Sequence, residues 1–160
     1  MLDREQFTAA VLDAEPTLYR VAKTMLHQEQ DCADAAQQAI LRAWEQLDTL
    51  HSVRYFKTWL VRILINECRT ILRRQKRIAP YDAAAAEAIP APAAEDHSDL
   101  YAAITALDEK LRLPVELYYL EGFKTREIAV LLGVPENTVK TRLRTAREQL
   151  RKDLKGACFA

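Results

Sequence analysis

The sequence predicts an all-α protein: two small helical domains joined by a flexible, acidic, Ala/Pro-rich linker. Three observations point there. Apolar residues recur at helical spacing through most of the chain. Only 3 glycines occur in 160 residues, and period-two alternation is scarce, which leaves little material for strands. Between Ala79 and Ser98 the composition changes to APYDAAAAEAIPAPAAEDHS, almost without large apolar side chains. Such a stretch buries too little surface to offset its ordering entropy, so it reads as a linker. The implied division is 1–78, a linker over 79–98, and 99–160.

Charge follows the same division. The formal net charge is zero. Residues 1–78 carry 12 basic and 10 acidic side chains, 79–98 carry four acidic and no basic ones, and 99–160 carry 11 basic and 9 acidic. Two mildly basic blocks thus flank an acidic one, a distribution that the overall zero hides.

The first block reads as four helical stretches. Asp3 to about Leu12 is amphipathic, with Phe7, Val11 and Leu12 inward. Pro16 marks a new start, after which Leu18, Tyr19, Val21, Ala22, Met25 and Leu26 repeat at helical spacing. The polar run His27 to Asp31 is a turn, and Asp31 suits the N-cap of the next helix. That helix extends to about Leu47, with Ala35, Ala39, Ala43 and Trp44 on its apolar side and Asp34, Gln37, Gln38 and Arg42 outward. Asp48 to Arg54 is a loop. A long helix then runs from Tyr55 and Phe56 to about Arg77. On a helical projection its apolar residues fill most of the circumference, while Thr58, Arg62, Asn66, Arg69, Arg73 and Lys76 share one arc of about 80°. Glu67 falls inside the apolar arc, where a carboxylate needs a buried partner.

In the second block, Asp99 to about Leu111 is an amphipathic helix with Leu100, Ala103, Ile104 and Leu107 inward. Pro114 opens a short helix, Val115 to Glu121, which Gly122 ends. The segment from Thr125 to Leu154 then reads as a helix-turn-helix. Ile128, Ala129, Leu131 and Leu132 give the first helix its apolar face. Gly133 is an αL terminator, and Pro135 suits the first turn of the second helix. Val139, Leu143, Ala146, Leu150 and Leu154 fall in an arc of about 80°, next to an arc of Lys140, Arg144, Arg147, Arg151 and Lys155. A basic helix face alone also fits a solvated surface helix. Small Ala129, Gly133 at the corner and the polar tip of Glu136, Asn137, Lys140 and Thr141 favour DNA binding, with the tip entering the major groove.

Several function classes find no support. Cys32, Cys68 and Cys158 are far apart and form no C-x-x-C, which suits a reducing compartment and packing, not a disulfide framework or a zinc site. His27, His51 and His97 are isolated. No nucleophile–base set, carboxylate pair or phosphate loop is visible, so neither an enzyme nor a cofactor or metal site is expected. MLDREQFTAA has no apolar leader core, and no apolar run approaches a membrane span, so the expectation is a cytoplasmic protein with no membrane insertion.

Two stretches together resemble the extracytoplasmic-function sigma factors of the sigma-70 family. LPVELYYLEGFKTREIAVLLGVPENTVKTRLRTAREQL resembles their promoter-binding C-terminal domain, with EIA at 127–129, LG at 132–133 and TVKTRL at 138–143 matching its signature. Asn137 stands where Gly is most frequent, and Thr141 where Ser is. DCADAAQQAILRAWEQL, 31–47, and FKTWLVRILINECRTILRR, 56–74, resemble the sigma-2 domain, with matches at Asp31, Asp34, Gln37 and Trp44. Ala33 and Gln38 replace usual Glu residues there, and Ile40 a usual Phe. The resemblance implies that Asp31, Asp34, Gln37, Gln38 and Arg42 dock on the β′ coiled coil of core RNA polymerase. It implies that the sigma-2 domain captures the −10 strand of promoter DNA. The Asp48–Arg54 loop, Tyr55, Thr58, Arg62, Asn66, Arg69 and Arg73 are the candidates, since a melted strand needs cations and a stacking plane. It implies that the sigma-4 domain docks on the β flap and reads the −35 duplex through Arg126, Glu136, Asn137, Lys140, Thr141, Arg144 and Arg147. An acidic linker near the RNA exit path and an anti-sigma factor as a further partner also follow from the resemblance. The alternative from another class is a stand-alone helix-turn-helix regulator, which would bind its operator without polymerase.

The division into domains makes a first prediction. Limited proteolysis of the free protein should cut first between Ala79 and Ser98. Early cleavage elsewhere, with that stretch protected, would count against a linker.

Overall fold

The computed structural model describes residues 1–78 and 98–159, with side chains described for 1–77 and 99–155. The expected linker therefore lies outside the described residues except for Ser98, and the side chain of Cys158 does too. The chain divides into two compact units, Met1–Glu87 and Ala88–Ala160, each taken by itself below. Every regular element among the described residues is helical.

The first unit packs α1 (Arg4–Met25), α2 (Glu29–Glu45) and α3 (Phe56–Ile78) against one another. Asp3 starts α1 with a reciprocal cap. Its Oδ1 accepts from the Gln6 N–H at 2.8 Å, and its own N–H donates to Gln6 Oε1 at 3.0 Å. Two such bonds satisfy orphan donors of the first turn. The predicted break at Pro16 does not occur, and α1 runs through it. A proline inside a helix costs about 3 kcal/mol. Burial of Phe7, Val11, Leu18, Val21 and Met25 on the same helix outweighs that, at about 1.5–3 kcal/mol for each large apolar side chain. Leu12, whose carbonyl loses its partner to the proline ring, is itself 61% exposed, so water reaches that turn. Leu12 is thus outward, against the sequence expectation, and Tyr19 is also exposed.

Alanine dominates the inner face of α2: Ala35, Ala36, Ala39 and Ala43 are all buried. Small side chains let a neighbouring helix come close, and α3 brings the large ones, with Leu60, Val61, Leu64 and Ile65 fully buried. Asp31 is not the N-cap of α2. Gln28 holds that position, without a side-chain cap bond, and Asp31 lies inside the first turn. Trp44 is 46% exposed, its ring edge-on to Phe7 at 5.0 Å. Single turns of 3-10 helix at Leu47–Thr49 and Val53–Tyr55 shape the connection to α3.

The second unit contains α4 (Ser98–Ala106), α5 (Glu109–Val115), α6 (Thr125–Leu132) and α7 (Glu136–Phe159). The single helix predicted over 99–111 is two helices, broken at Leu107 and Asp108. Arg112 stabilises the break. Its Nη1 donates to the carbonyls of Thr105 at 3.1 Å and Leu107 at 3.4 Å, supplying donors to the end of α4. Leu100, expected inward, is 38% exposed. Pro114 does not open a helix but lies buried within α5. Past it the turn widens to i→i+5 spacing over Glu116–Leu120, where the Glu121 N–H donates to the Glu116 carbonyl at 3.0 Å. The carbonyl that Pro114 leaves without a helical donor is that of Lys110, an exposed residue.

Gly122 and Gly133 end their segments at φ +76° and +68°. No atom lies within 4 Å of a Cβ built on either, so the backbone angle, not space, calls for glycine. After the second corner the Pro135 carbonyl accepts from the N–H groups of Thr138 and Val139, which places Pro135 just before α7, not within its first turn. Val139, Leu143 and Ala146 form the buried seam of α7.

Cys32 and Cys68 are both buried thiols. Cys32 Sγ donates to the Leu26 carbonyl at 3.7 Å. Burial pushes the Cys68 thiol up to about 12 and raises that of Cys32 as well. At pH 8 the thiolate fraction of Cys68 is then on the order of 10⁻⁴. Iodoacetamide at pH 8 should leave both unmodified in the native protein and alkylate both in denaturant, as read by peptide mass mapping. Rapid native labelling of Cys68 would contradict this packing.

Candidate polymerase and nucleic-acid interfaces

On α2, Asp34, Gln37, Gln38 and Arg42 are exposed and Asp31 is half-buried. Two bridges fix this face to α3. Gln75 Nε2 donates to Asp31 Oδ2 at 2.7 Å. Arg42 Nε pairs with Glu67 Oε1. That pair explains the carboxylate in the apolar arc of α3. Glu67 is 8% exposed and takes its charge partner from across the helix interface. The Arg42 side chain is nonetheless half-exposed, so water reaches it. Asp31, Asp34, Gln38, Arg42 and Glu67 line one hollow of about 530 Å³. Gln37 instead lines a neighbouring apolar groove of about 590 Å³ with Phe7, Ile40, Leu41 and Trp44. Four of the five residues expected to meet polymerase therefore share one polar hollow, and the fifth faces an adjoining greasy one.

The connection into α3 separates two aromatic neighbours. Phe56 is buried, with its ring centroid 5.7 Å from that of Phe7, whereas Tyr55 is 55% exposed. Ser52 accepts from the Arg54 N–H at 3.3 Å, and the Arg54 guanidinium lies 5.8 Å from the Tyr55 ring centroid. A cation over an open ring face is a stacking platform with charge beside it. Further along α3, Arg62, Asn66 and Arg73 are exposed, while Thr58 and Arg69 are half-buried. Arg73 Nη2 donates to Thr70 Oγ1 at 3.3 Å, and Thr70 in turn donates to the Asn66 carbonyl at 3.0 Å. Arg73, Thr70 and Asn66 are thus linked, and the members of the strip differ in exposure.

In the second unit, α6 and α7 meet at the Gly133 corner. The Lys124 N–H donates to Glu127 Oε1 at 2.9 Å, which caps α6. Arg126, Asn137, Lys140, Thr141, Arg144 and Arg147 are exposed. Glu136 is half-buried, and its Oε1 accepts from Thr125 Oγ1 at 2.8 Å while Lys140 Nζ lies 3.8 Å away. One carboxylate oxygen therefore ties the start of α6 to the tip of α7. Arg147 Nη1 donates to the Tyr119 hydroxyl at 3.0 Å, and this bond raises the Arg147 pKa above its ordinary value. Sequence reasoning missed Thr125, Tyr119 and Gln75, and named Arg54 only as the end of the Asp48–Arg54 loop. The partners of the first three lie 11, 28 and 44 residues away, beyond any local period.

The first unit thus carries a strip of basic and polar side chains beside an exposed tyrosine, and the second an exposed polar tip on the second helix of a helix-turn-helix. Family models match both. "Sigma-70 region 2" covers residues 11–78 and "Sigma-70, region 4" covers 97–150. The sigma factor SigV of Bacillus subtilis is 30% identical over 161 residues, spanning 96% of each chain. The chain belongs to the sigma-70 family. Among its relatives, the extracytoplasmic-function sigma factor SigW of B. subtilis is 29% identical, with 96% of this chain and 91% of that protein aligned. Among solved structures, the sigma factor RpoE in complex with the anti-sigma factor NepR, from Bartonella quintana, superposes with a TM-score of 0.79 at 26% identity. It covers 93% of this chain and 96% of that one. CnrH, in complex with the cytosolic domain of CnrY, gives a TM-score of 0.71 at 25% identity, over 96% and 90% of the two chains. Among the described residues of this sigma factor, no helix is long and apolar enough to cross a membrane.

The bridge between α2 and α3 predicts an asymmetry. Arg42→Ala strands a carboxylate whose side chain is only 11% exposed, and should cost roughly 1–3 kcal/mol. Glu67→Gln removes the buried charge and leaves an Arg42 that water already reaches, so it should cost less. Urea denaturation of the two variants tests this. Equal losses would mean that the pair does not carry the burial cost assigned to Glu67.

Proposed function

We propose that this chain directs core RNA polymerase to specific promoters and promotes transcription initiation. The observation that supports this most strongly is the order of the two surfaces on one chain, a region 2 match followed by a region 4 match. A stand-alone regulator would need only the second. Residues 1–78 take the polymerase-docking and −10 role, and 99–160 the −35 role. Asp31, Asp34, Gln38 and Arg42 meet the β′ coiled coil through the polar hollow, with Gln37 on the apolar groove beside it. Tyr55 offers a stacking face to a base of the melted −10 strand, and Arg62, Asn66 and Arg73, with Thr58 and Arg69 behind them, follow its backbone. At the tip of α7, Asn137, Lys140, Thr141 and Arg144 face the major groove of the −35 duplex. Arg suits guanine and Asn suits adenine, because each presents two hydrogen bonds matching one base edge. Glu136 has one oxygen committed to Thr125, so it reaches a base only with the other. Arg126 and Arg147 neutralise phosphates.

No bond is made or broken by this chain, since the nucleotidyl transfer belongs to polymerase. The site of action is the cytoplasm, where the chromosome and polymerase are. One solved neighbour is a complex with an anti-sigma factor and another a complex with a cytosolic domain of a second protein, which supports a protein inhibitor as a further partner.

Promoter binding by the holoenzyme, assembled from purified core polymerase and this chain, tests the reading. Arg144→Ala should relax preference at one −35 position, at a cost of about 1–3 kcal/mol. Arg147→Ala should weaken all sequences alike and lower the salt slope by about one unit. Promoter binding by the chain alone, undiminished without core, would favour the stand-alone regulator instead.

A further inference from the structure

Arg147 sits on the exposed side of α7, yet its guanidinium is tethered. Its Nη1 donates to the hydroxyl of Tyr119, 28 residues earlier in the chain. Tyr119 belongs to the widened turn Glu116–Leu120, and that turn is anchored in the core by Glu116 and Leu117, 6% and 0% exposed. Two backbone bonds close it, from the Glu121 N–H to the Glu116 carbonyl and from the Phe123 N–H to the Leu117 carbonyl. The Tyr118 ring meets the Tyr119 ring edge-on, with centroids 4.8 Å apart and planes at 88°. A phenol has few torsions of its own. Fixed at its base and along one edge, it presents its oxygen in a set direction.

We propose that Tyr119 is a positioning residue for promoter binding: its hydroxyl orients the Arg147 guanidinium toward a DNA phosphate flanking the −35 element. The proposal rests on the reading of α7 as the −35 recognition helix. Arginine has five N–H donors in a rigid fork, so one bond to Tyr119 leaves four for phosphate oxygens. A loose arginine must give up rotamer freedom when it takes a phosphate. One already ordered by a neighbour gives up less, and binds more tightly for the same contact. The bond to Tyr119 also raises the pKa of a group that is charged at every relevant pH, so its effect is on geometry and not on charge. The half-exposed Tyr119 ring leaves the pair open to a large ligand.

The test is a double-mutant cycle in the holoenzyme, with equilibrium binding to a set of promoter duplexes differing in the −35 element. Tyr119→Phe removes the hydroxyl and keeps the ring. It should weaken binding about fivefold, the worth of one ordinary hydrogen bond, equally on every −35 sequence and without changing the order of preference. In an Arg147→Ala background the same change should have no effect, and the thermal midpoint of the full chain should not move. Equal losses in both backgrounds would assign Tyr119 a merely structural role and overturn the proposal. Tighter binding by Tyr119→Phe would mean that the phenol competes with phosphate for Arg147, and would also overturn it. A wild-type holoenzyme with no −35-dependent binding would overturn the functional reading itself, before any variant is compared.

Discussion

The close approach of α2 and α3 is the constraint on which the first unit depends. Four alanines on the inner face of α2 leave room that Leu60, Val61, Leu64 and Ile65 fill. Each fully buried Leu or Ile contributes about 1.5–3 kcal/mol, so the pair is held mainly by apolar burial. Two polar bridges then set its register, Asp31 with Gln75 near one end and Arg42 with Glu67 further along. Breaking the second bridge would leave the Glu67 carboxylate buried without its charge partner, which disfavours arrangements that separate the two. Burial thus supplies the cohesion, and the bridges make it specific. Because the inner faces are fixed, the outer ones are too. α2 presents its polar hollow in one direction, and α3 presents its cationic strip beside the exposed Tyr55.

The second unit solves a different problem with fewer residues. Its short helices, α4, α5 and α6, bury one face each, and α7 gathers them along the seam of Val139, Leu143 and Ala146. The corners are made by backbone angle alone, at Gly122 and Gly133. What locks the second corner is polar: Thr125 at the start of α6 reaches the Glu136 carboxylate at the tip of α7. A residue that sequence patterning assigns to base contact is therefore also a brace within the protein. The two roles are compatible because a carboxylate has two oxygens and about four acceptor sites.

Much of this was legible in the sequence, and the rest was hidden for identifiable reasons. Helical spacing located α3, α6 and α7 because each buries a strong, regular face. The outward placement of Asp34, Gln37, Gln38, Arg42 and the α7 tip followed from the same periodicity. Two prolines misled in the same way. Pro16 and Pro114 signal helix starts by local rules, but each lies inside a helix whose burial outweighs the lost bond. Asp31 looked like a cap because Asp favours that position. Gln75, across the interface, uses its carboxylate instead. Leu12 and Leu100 looked like core because a projection cannot know which apolar residues find a neighbour. In each case the missing information was tertiary: which residues meet a neighbouring helix and which do not.

The distribution of arginines links packing to function. Arg112 is consumed by structure, its Nη1 closing the end of α4 in a part-buried setting. Arg42 is divided, its Nε paired with the buried Glu67 carboxylate while the side chain stays half-exposed. Arg147 is tethered by a neutral oxygen and keeps its full charge outward. The neutral partner matters. A carboxylate in place of the Tyr119 phenol would cancel the charge that a phosphate seeks, whereas a hydroxyl directs the fork and leaves its field intact. The formal net charge is zero, yet Arg62, Arg73, Arg144 and Arg147 stay exposed, while Asp3 and Glu127 serve caps, Glu67 an interhelical bridge and Glu136 a brace.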